Sequence, residues 1–222
     1  MSKPTLTYFP ARGLAELIRL VLAEAGVDYQ EYVVGRGTPP VDGRPTDLAA
    51  LKATGTLPFD AVPVWQEPSG FRLAQSSAIA NHIARTHGLR GKNATEEAQC
   101  DELLGAIDDV RFEMRKLTTV AADQRAALRA ELVSATLLRW LGYLDRVLEK
   151  NGGGAGYVVG ASITVADLAL WYLLEQIRDN GFGGALERYP AMMAFAERIG
   201  SRPRIAAYLK SARRPPLVLL PT

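Results

Sequence analysis

Apolar positions along the chain follow two different periods. Up to about residue 90, short β-like runs alternate with helical ones, and beyond that point the spacing is almost wholly helical. Leu6-Thr7-Tyr8-Phe9 reads as a short strand. Leu14, Leu17, Ile18, Val21, Leu22 and Ala25 then recur at helical spacing until Gly26 stops them. Tyr29 to Val34 reads as a second strand, which completes a βαβ unit with a right-handed crossover and parallel strands. Gly35 to Thr46 is rich in Gly and Pro without an apolar period, the pattern of a surface loop. Ala61-Val62-Pro63-Val64-Trp65 and Phe71-Arg72-Leu73 read as two further strands joined by the turn signal Glu67-Pro68-Ser69-Gly70, and Gln75 to His87 as a closing helix. The order βαβ then ββα predicts an α+β, thioredoxin-like domain over residues 1–88.

Leu89-Arg90-Gly91-Lys92-Asn93 is the predicted linker, followed by an all-α helical bundle over residues 94–222. Leu103, Leu104, Ile107 and Val110 hold one helical face, and Leu137, Leu138, Leu141, Leu144 and Leu148 another. Gly152-Gly153-Gly154 interrupts the helices. Thr164-Val165-Ala166-Asp167 then has the form of a capping box, with Ile163 and Leu168 placed as a hydrophobic staple. Asp167 is therefore read as a structural cap and not as a catalytic acid.

Composition narrows the possible functions. Lys and Arg number 26 against 24 Asp and Glu, spread along the chain rather than gathered into a stripe that would neutralise phosphates, so nucleic acid is not an expected partner. The start, Met-Ser-Lys-Pro-Thr, has no apolar signal core, and no stretch approaches the roughly 18 apolar residues of a membrane span. No membrane association and a cytoplasmic location are expected. One cysteine, Cys100, and two histidines, His82 and His87, make neither an internal disulfide nor a metal-ligand cluster, so no metal is expected.

Three places carry candidate chemistry. Tyr8 ends the first strand, and Pro10 and Gly13 turn the chain before the helix, which leaves the phenol as a possible hydrogen-bond donor into a site or as a core tyrosine. Val62-Pro63 is either an edge-strand proline or a cis peptide that frees the Val62 main chain to pair with an extended ligand; about 5–6% of X–Pro bonds in folded proteins are cis. Gln75 and Ser76 begin a helix, where amides and the helix dipole favour a carboxylate, or where either residue simply caps the helix.

Taken together, Tyr8-Phe9-Pro10-Ala11-Arg12-Gly13-Leu14-Ala15-Glu16, Leu57-Pro58-Phe59-Asp60-Ala61-Val62-Pro63, Gln75-Ser76-Ser77-Ala78-Ile79, Ile83-Ala84-Arg85 and Thr164-Val165-Ala166-Asp167 resemble the successive motifs of cytosolic glutathione transferases of the tyrosine type, in the mu, pi and sigma classes. The motifs run in order across almost the whole chain. The resemblance implies a homodimeric detoxification enzyme that needs no cofactor beyond glutathione as co-substrate and transfers it to apolar electrophiles. It implies that Tyr8 stabilises the glutathione thiolate and that Val62, before a cis Pro63, pairs with the cysteinyl unit. Gln75 and Ser76 would bind the γ-glutamyl end, Lys52 the glycyl carboxylate, and Asp109 the glutathione amino group across the dimer. Phe59 would be the aromatic key of the dimer, and Phe9, Arg111 and Met114 the electrophile wall. A tryptophan usual before Lys52 is missing between Gly35 and Lys52, where Arg36 and Arg44 are the candidate substitutes; Leu14 stands where pi and sigma enzymes carry arginine. The tail Pro215 to Leu220 either folds over the electrophile pocket or frays. A glutathione-dependent isomerase or peroxidase, and a non-catalytic binding relative, are the alternatives on the same scaffold.

Overall fold

The computed structural model describes residues 2–35 and 45–222. Its contacts divide the chain into two compact units, one formed by Met1–His87 with Ala207–Val218 and the other by Gly88–Ala206 with Leu219–Thr222.

The first unit holds a four-stranded sheet in the order β2-β1-β3-β4. Strand β1 (Thr5–Tyr8) leads through a 3₁₀ turn (Gly13–Ala15) into helix α1 (Glu16–Ala25), which Gly26 ends in the left-handed conformation with φ 71°. β2 (Gln30–Val33) returns parallel to β1, as the crossover requires. Helix α2 (Leu48–Ala53) is N-capped by Asp47, whose carboxylate accepts from the Ala49 and Ala50 amides. β3 (Val64–Gln66) and β4 (Arg72–Ala74) complete the sheet as antiparallel strands, and α3 (Ser76–Thr86) packs beside α1. The fold predicted for this part is present: a thioredoxin-like βαβ-ββα arrangement. The expected strand from Ala61 is shorter than its apolar run, because Pro63 has no N–H for the ladder and pairing begins at Val64. Arg36 and Arg44 lie outside the described residues; of the described residues, Gly35 donates its amide to the Thr46 carbonyl at 2.9 Å.

The second unit is helical. It runs through α4 (Ala94–Arg115), α5 (Arg125–Glu131), α6 (Leu137–Lys150), α7 (Val165–Ile177) and α8 (Pro190–Gly200); α9 (Pro203–Leu209) then carries the chain out of it. α4 and α6 bury most of the apolar positions that the sequence period marks, Leu103, Leu104, Ile107 and Val110 on one, Leu137, Leu141, Leu144 and Leu148 on the other, whereas Leu138, at the edge of that face, is only half-buried. The predicted linker is tied down by side chains. Arg90 grips Asp101 in a two-pronged ion pair, and Asn93 caps α4 by accepting from the Glu96 amide. α7 is buried almost all round and starts at the predicted capping box. The Asp167 carboxylate accepts from the Thr164 amide at 2.7 Å, the Thr164 hydroxyl at 2.8 Å and the Val158 amide at 2.8 Å. Burial pushes its pKa up to about 6 while those three donors pull against the rise. Among the described residues no helix is long and apolar enough to cross a membrane.

Candidate functional site

The sheet register gathers several of the sequence candidates at one end. Thr7 pairs with Val64 across β1 and β3, and Val64 with Ala74 across β3 and β4. One residue further along each strand brings Tyr8, Pro63 and Gln75 side by side, with Ser76 opening α3 immediately after. Val62–Pro63 is cis. Val62 lies beyond the last ladder pair, so its main chain is not part of the sheet.

Tyr8 is only 6% exposed. Its hydroxyl accepts from the Leu14 amide at 2.9 Å, a contact set by the 3₁₀ turn ahead of α1. A phenol that accepts one hydrogen bond retains its own proton for donation, and a donor aimed at its oxygen polarises that proton further. The guanidinium of Arg19 stands 5.8 Å from the Tyr8 ring centroid. Gly13 supports this corner in two ways. Its φ is +41°, and a Cβ there would lie 2.6 Å from the Tyr8 hydroxyl oxygen. Phe9 presents an exposed ring edge-on to Tyr8, with centroids 5.4 Å apart.

Gln75 makes no side-chain cap to α3, so the simple capping role is not what it does. Its backbone sits at φ 73° and ψ 117°, a conformation that costs a non-glycine residue on the order of 1–3 kcal/mol. Outliers of this kind persist where the surroundings demand them, and they concentrate at binding sites. Ser76 is half-buried at the first turn of α3.

The remaining candidates are dispersed. Lys52 lies exposed in the last turn of α2, and Phe59 projects at 67% exposure from the turn that follows. Asp109, Arg111 and Met114 belong to α4 in the second unit. Asp109 is exposed. Arg111 donates from Nε to the Gln176 amide oxygen at 2.8 Å and lies over the Tyr172 ring at 4.7 Å, while Met114 is 3% exposed.

A buried ionic cluster beside Tyr8 was missed by the sequence reading. Glu16 is fully buried and receives the Tyr208 hydroxyl at 2.9 Å and Arg214 Nε at 2.8 Å. Arg19 lies 3.7 Å from Glu16, donates to Glu31 at 2.8 Å and 3.2 Å, and reaches back to the Ala11 carbonyl at 2.9 Å. Burial alone would lower the Arg19 pKa, but the hydrogen bond and charge of Glu31 outweigh it and hold the guanidinium above its ordinary value. Burial and the Glu16 charge push Tyr208 upward. The one available signal was the presence of Glu16 and Arg19 on an otherwise apolar helical run, a spacing equally compatible with a solvated pair.

Residues 4–85 match the model of the glutathione S-transferase N-terminal domain, and residues 108–212 that of the glutathione S-transferase C-terminal domain. The chain belongs to the glutathione S-transferase family. Mouse glutathione S-transferase A1 is 36% identical over 217 residues, covering 97% of this chain and 92% of the relative. Rat glutathione S-transferase alpha-2 is 36% identical over 215 residues, covering 96% and 91%. S-crystallin SL11 of Nototodarus sloanii is 32% identical over 219 residues, covering 95% and 97%. A solved structure of NaGST-2 superposes with a TM-score of 0.81 at 31% identity, over 96% of this chain and 98% of the other. The chain is thus an enzyme of the glutathione transferase type. The mouse and rat relatives bear the names A1 and alpha-2, so these comparisons establish the family without establishing the mu, pi or sigma class.

Proposed function

We propose that this glutathione transferase is of the tyrosine type and works as a cytoplasmic homodimer, with Tyr8 donating its phenolic proton to the glutathione thiolate. The observation that carries the reading is the Leu14 amide on the Tyr8 oxygen at 2.9 Å, at the sheet end shared with Val62 and Gln75. A free thiol with a pKa near 8.5 is only a few per cent ionised at pH 7, and lowering that value to about 6.5 requires roughly 2.7 kcal/mol of preferential thiolate stabilisation. One hydrogen bond to an anion supplies about 1.5–3 kcal/mol of this. The N-terminal end of α3 adds a favourable dipole for a carboxylate of the ligand.

On this reading Val62 pairs with the cysteinyl main chain, and Gln75 and Ser76 hold the γ-glutamyl end. The strained Gln75 backbone and its unused side-chain cap support that role. Lys52 meets the glycyl carboxylate, and Asp109 of a second subunit meets the amino group. Phe59, exposed in one chain, is the dimer key. Phe9 offers the electrophile an apolar ring beside Tyr8. The burial of Met114 and the engagement of Arg111 by Gln176 and Tyr172 favour structural roles for both. No metal or further cofactor takes part in the step: the thiolate attacks the electrophilic carbon to form the thioether bond, and either a leaving group departs with its electron pair or, at an activated double bond, the resulting carbanion takes a proton from water.

The rival reading is a non-catalytic relative on the same scaffold. Glutathione conjugation to an aryl halide, followed by product mass, separates the two. The enzyme should form the thioether with catalytic turnover and Tyr8→Phe should lose about ten-fold or more of it; a rate no higher than that of glutathione alone would favour the non-catalytic relative.

A further inference from the structure

The first unit does not end with α3. Its last residues, Ala207–Val218, return to it from the far end of the chain and meet the turn that serves Tyr8. Arg12 Nε donates to the Pro215 carbonyl at 3.2 Å on one side of that turn. On the other side, Glu16, the first residue of α1, is gripped by Arg214 and Tyr208. Between these two attachments lie Gly13 and Leu14, whose backbone supplies the close approach and the amide donor to the Tyr8 hydroxyl. Glu16 is 0% exposed, so its carboxylate can stay in place only while cationic and hydroxyl donors compensate it. Two of those donors, Arg214 and Tyr208, come from about 190 residues downstream.

We propose that Arg214 and Tyr208 are positioning residues of the active site: through the buried Glu16 carboxylate they fix the turn that presents the Leu14 amide to Tyr8, and so set how strongly Tyr8 stabilises the glutathione thiolate. This rests on the reading of Tyr8 as the thiolate donor. Neither residue needs to touch substrate. The charged and titratable groups at this corner include Tyr8 on β1, Arg12 in the turn, Glu16 and Arg19 on α1, Tyr29 and Glu31 at β2, and Tyr208, Arg213 and Arg214 on the returning segment; β3, Val64–Gln66, contributes none.

Removing Arg214 leaves the Glu16 carboxylate with the Tyr208 hydroxyl and with Arg19, which Glu31 already engages. The start of α1 then relaxes and the Leu14 amide withdraws from Tyr8. A hydrogen bond of this kind is worth a factor of about three to ten, so the thiolate pKa should rise by roughly half to one unit.

The test compares pH profiles of kcat/KM for the electrophile at saturating glutathione, which report the enzyme–glutathione complex, in the full-length enzyme, its Arg214→Gln and Tyr208→Phe variants, and the same changes placed on Tyr8→Phe. Tyr208→Phe keeps the ring and the fold while removing one donor, so it carries the test if Arg214→Gln fails to fold. The profile should move upward by about half a unit or more in each single variant, with the rate at pH well above the shift recovering to within about two-fold of native. Arg214→Lys, which keeps a cation, should restore much of the native profile. On the Tyr8→Phe background neither change should move the profile further. Native profiles in both Arg214→Gln and Tyr208→Phe, or a shift that persists unchanged without the Tyr8 hydroxyl, overturn the proposal. If Tyr8→Phe itself leaves the profile unshifted, the reading of Tyr8 fails first, and the positioning role falls with it.

Discussion

Gly13→Ala places a single methyl group against the Tyr8 hydroxyl. The added Cβ would lie 2.6 Å from the oxygen, 3.3 Å from Cε1 and 3.4 Å from Cζ, and ordinary contact begins at about 3.4 Å. The oxygen must therefore retreat by about 0.8 Å, or the turn must move by as much. Either movement breaks the 2.9 Å contact from Leu14 and takes the phenol out of line with a thiolate. Misplacing a catalytic group by about 1 Å can cost on the order of a hundred-fold in rate. The left-handed backbone adds about 1–2 kcal/mol of strain for alanine. Gly70→Ala is the control, because Gly70 has φ +91° with no atom within 4 Å of its would-be Cβ. It carries the strain without the collision. Gly70→Ala should lose about 1–2 kcal/mol in urea unfolding and Gly13→Ala at least as much because the collision adds to the strain, whereas only Gly13→Ala should lose about ten- to a hundred-fold in conjugation rate. Equal activity in the two variants would show that the Tyr8 hydroxyl does not need its present position.

Three further outcomes follow from the same geometry. Phe59→Ala removes the ring exposed at 67%, and if that ring fills a partner pocket the dimer should weaken by about 3 kcal/mol, read as a lower mass by sedimentation at micromolar concentration; unchanged mass would exclude the key. Asp109→Asn should raise the Michaelis constant for glutathione about three- to ten-fold with little change in kcat, since a partly wet charge-assisted contact is worth about 1 kcal/mol; an unchanged constant would leave Asp109 as a solvated helix residue. Asp167→Ala should cost about 2–4 kcal/mol in urea unfolding at neutral pH by stripping the Thr164 and Val158 amides of their acceptor. Because burial raises the folded carboxyl to about 6 from its ordinary 3.8, the folded state binds the proton more tightly between those values. The carboxyl's contribution to stability is therefore lost as pH rises through about 6, and the cost of Asp167→Ala should be larger near pH 4.5 than near pH 7. A cost that grows with pH would contradict this.

Local signals were legible in the sequence where one residue dictates the backbone. Gly26 ends α1, Thr164 and Asp167 start α7, and the alternation of strand and helix patterns fixes the order of the sheet unit. Pro63 was visible too, and its lack of an N–H is why the ladder starts one residue later. The left-handed backbone of Gln75 had no signature, since glutamine has no preference for it and only the surrounding fold imposes it. The Glu16 cluster was hidden because its partners Tyr208 and Arg214 are separated from it by almost the whole chain, and a proline-rich terminus carries no periodicity to show where it returns. The class is not settled by the sequence for a related reason. The motifs that carried the resemblance encode a turn, a helix start and a cap, which the scaffold needs whatever electrophile is bound.

The most direct test of the account is the ionisation of enzyme-bound glutathione. Thiolate absorption in the ultraviolet, titrated with saturating glutathione in the native enzyme and in Tyr8→Phe, reads that ionisation without relying on turnover. The native complex should titrate at about 6.5 and the variant about one to two units higher, each unit corresponding to about 1.36 kcal/mol of lost thiolate stabilisation. Two superimposable curves would contradict the account and leave Tyr8 as a packing residue at the end of β1.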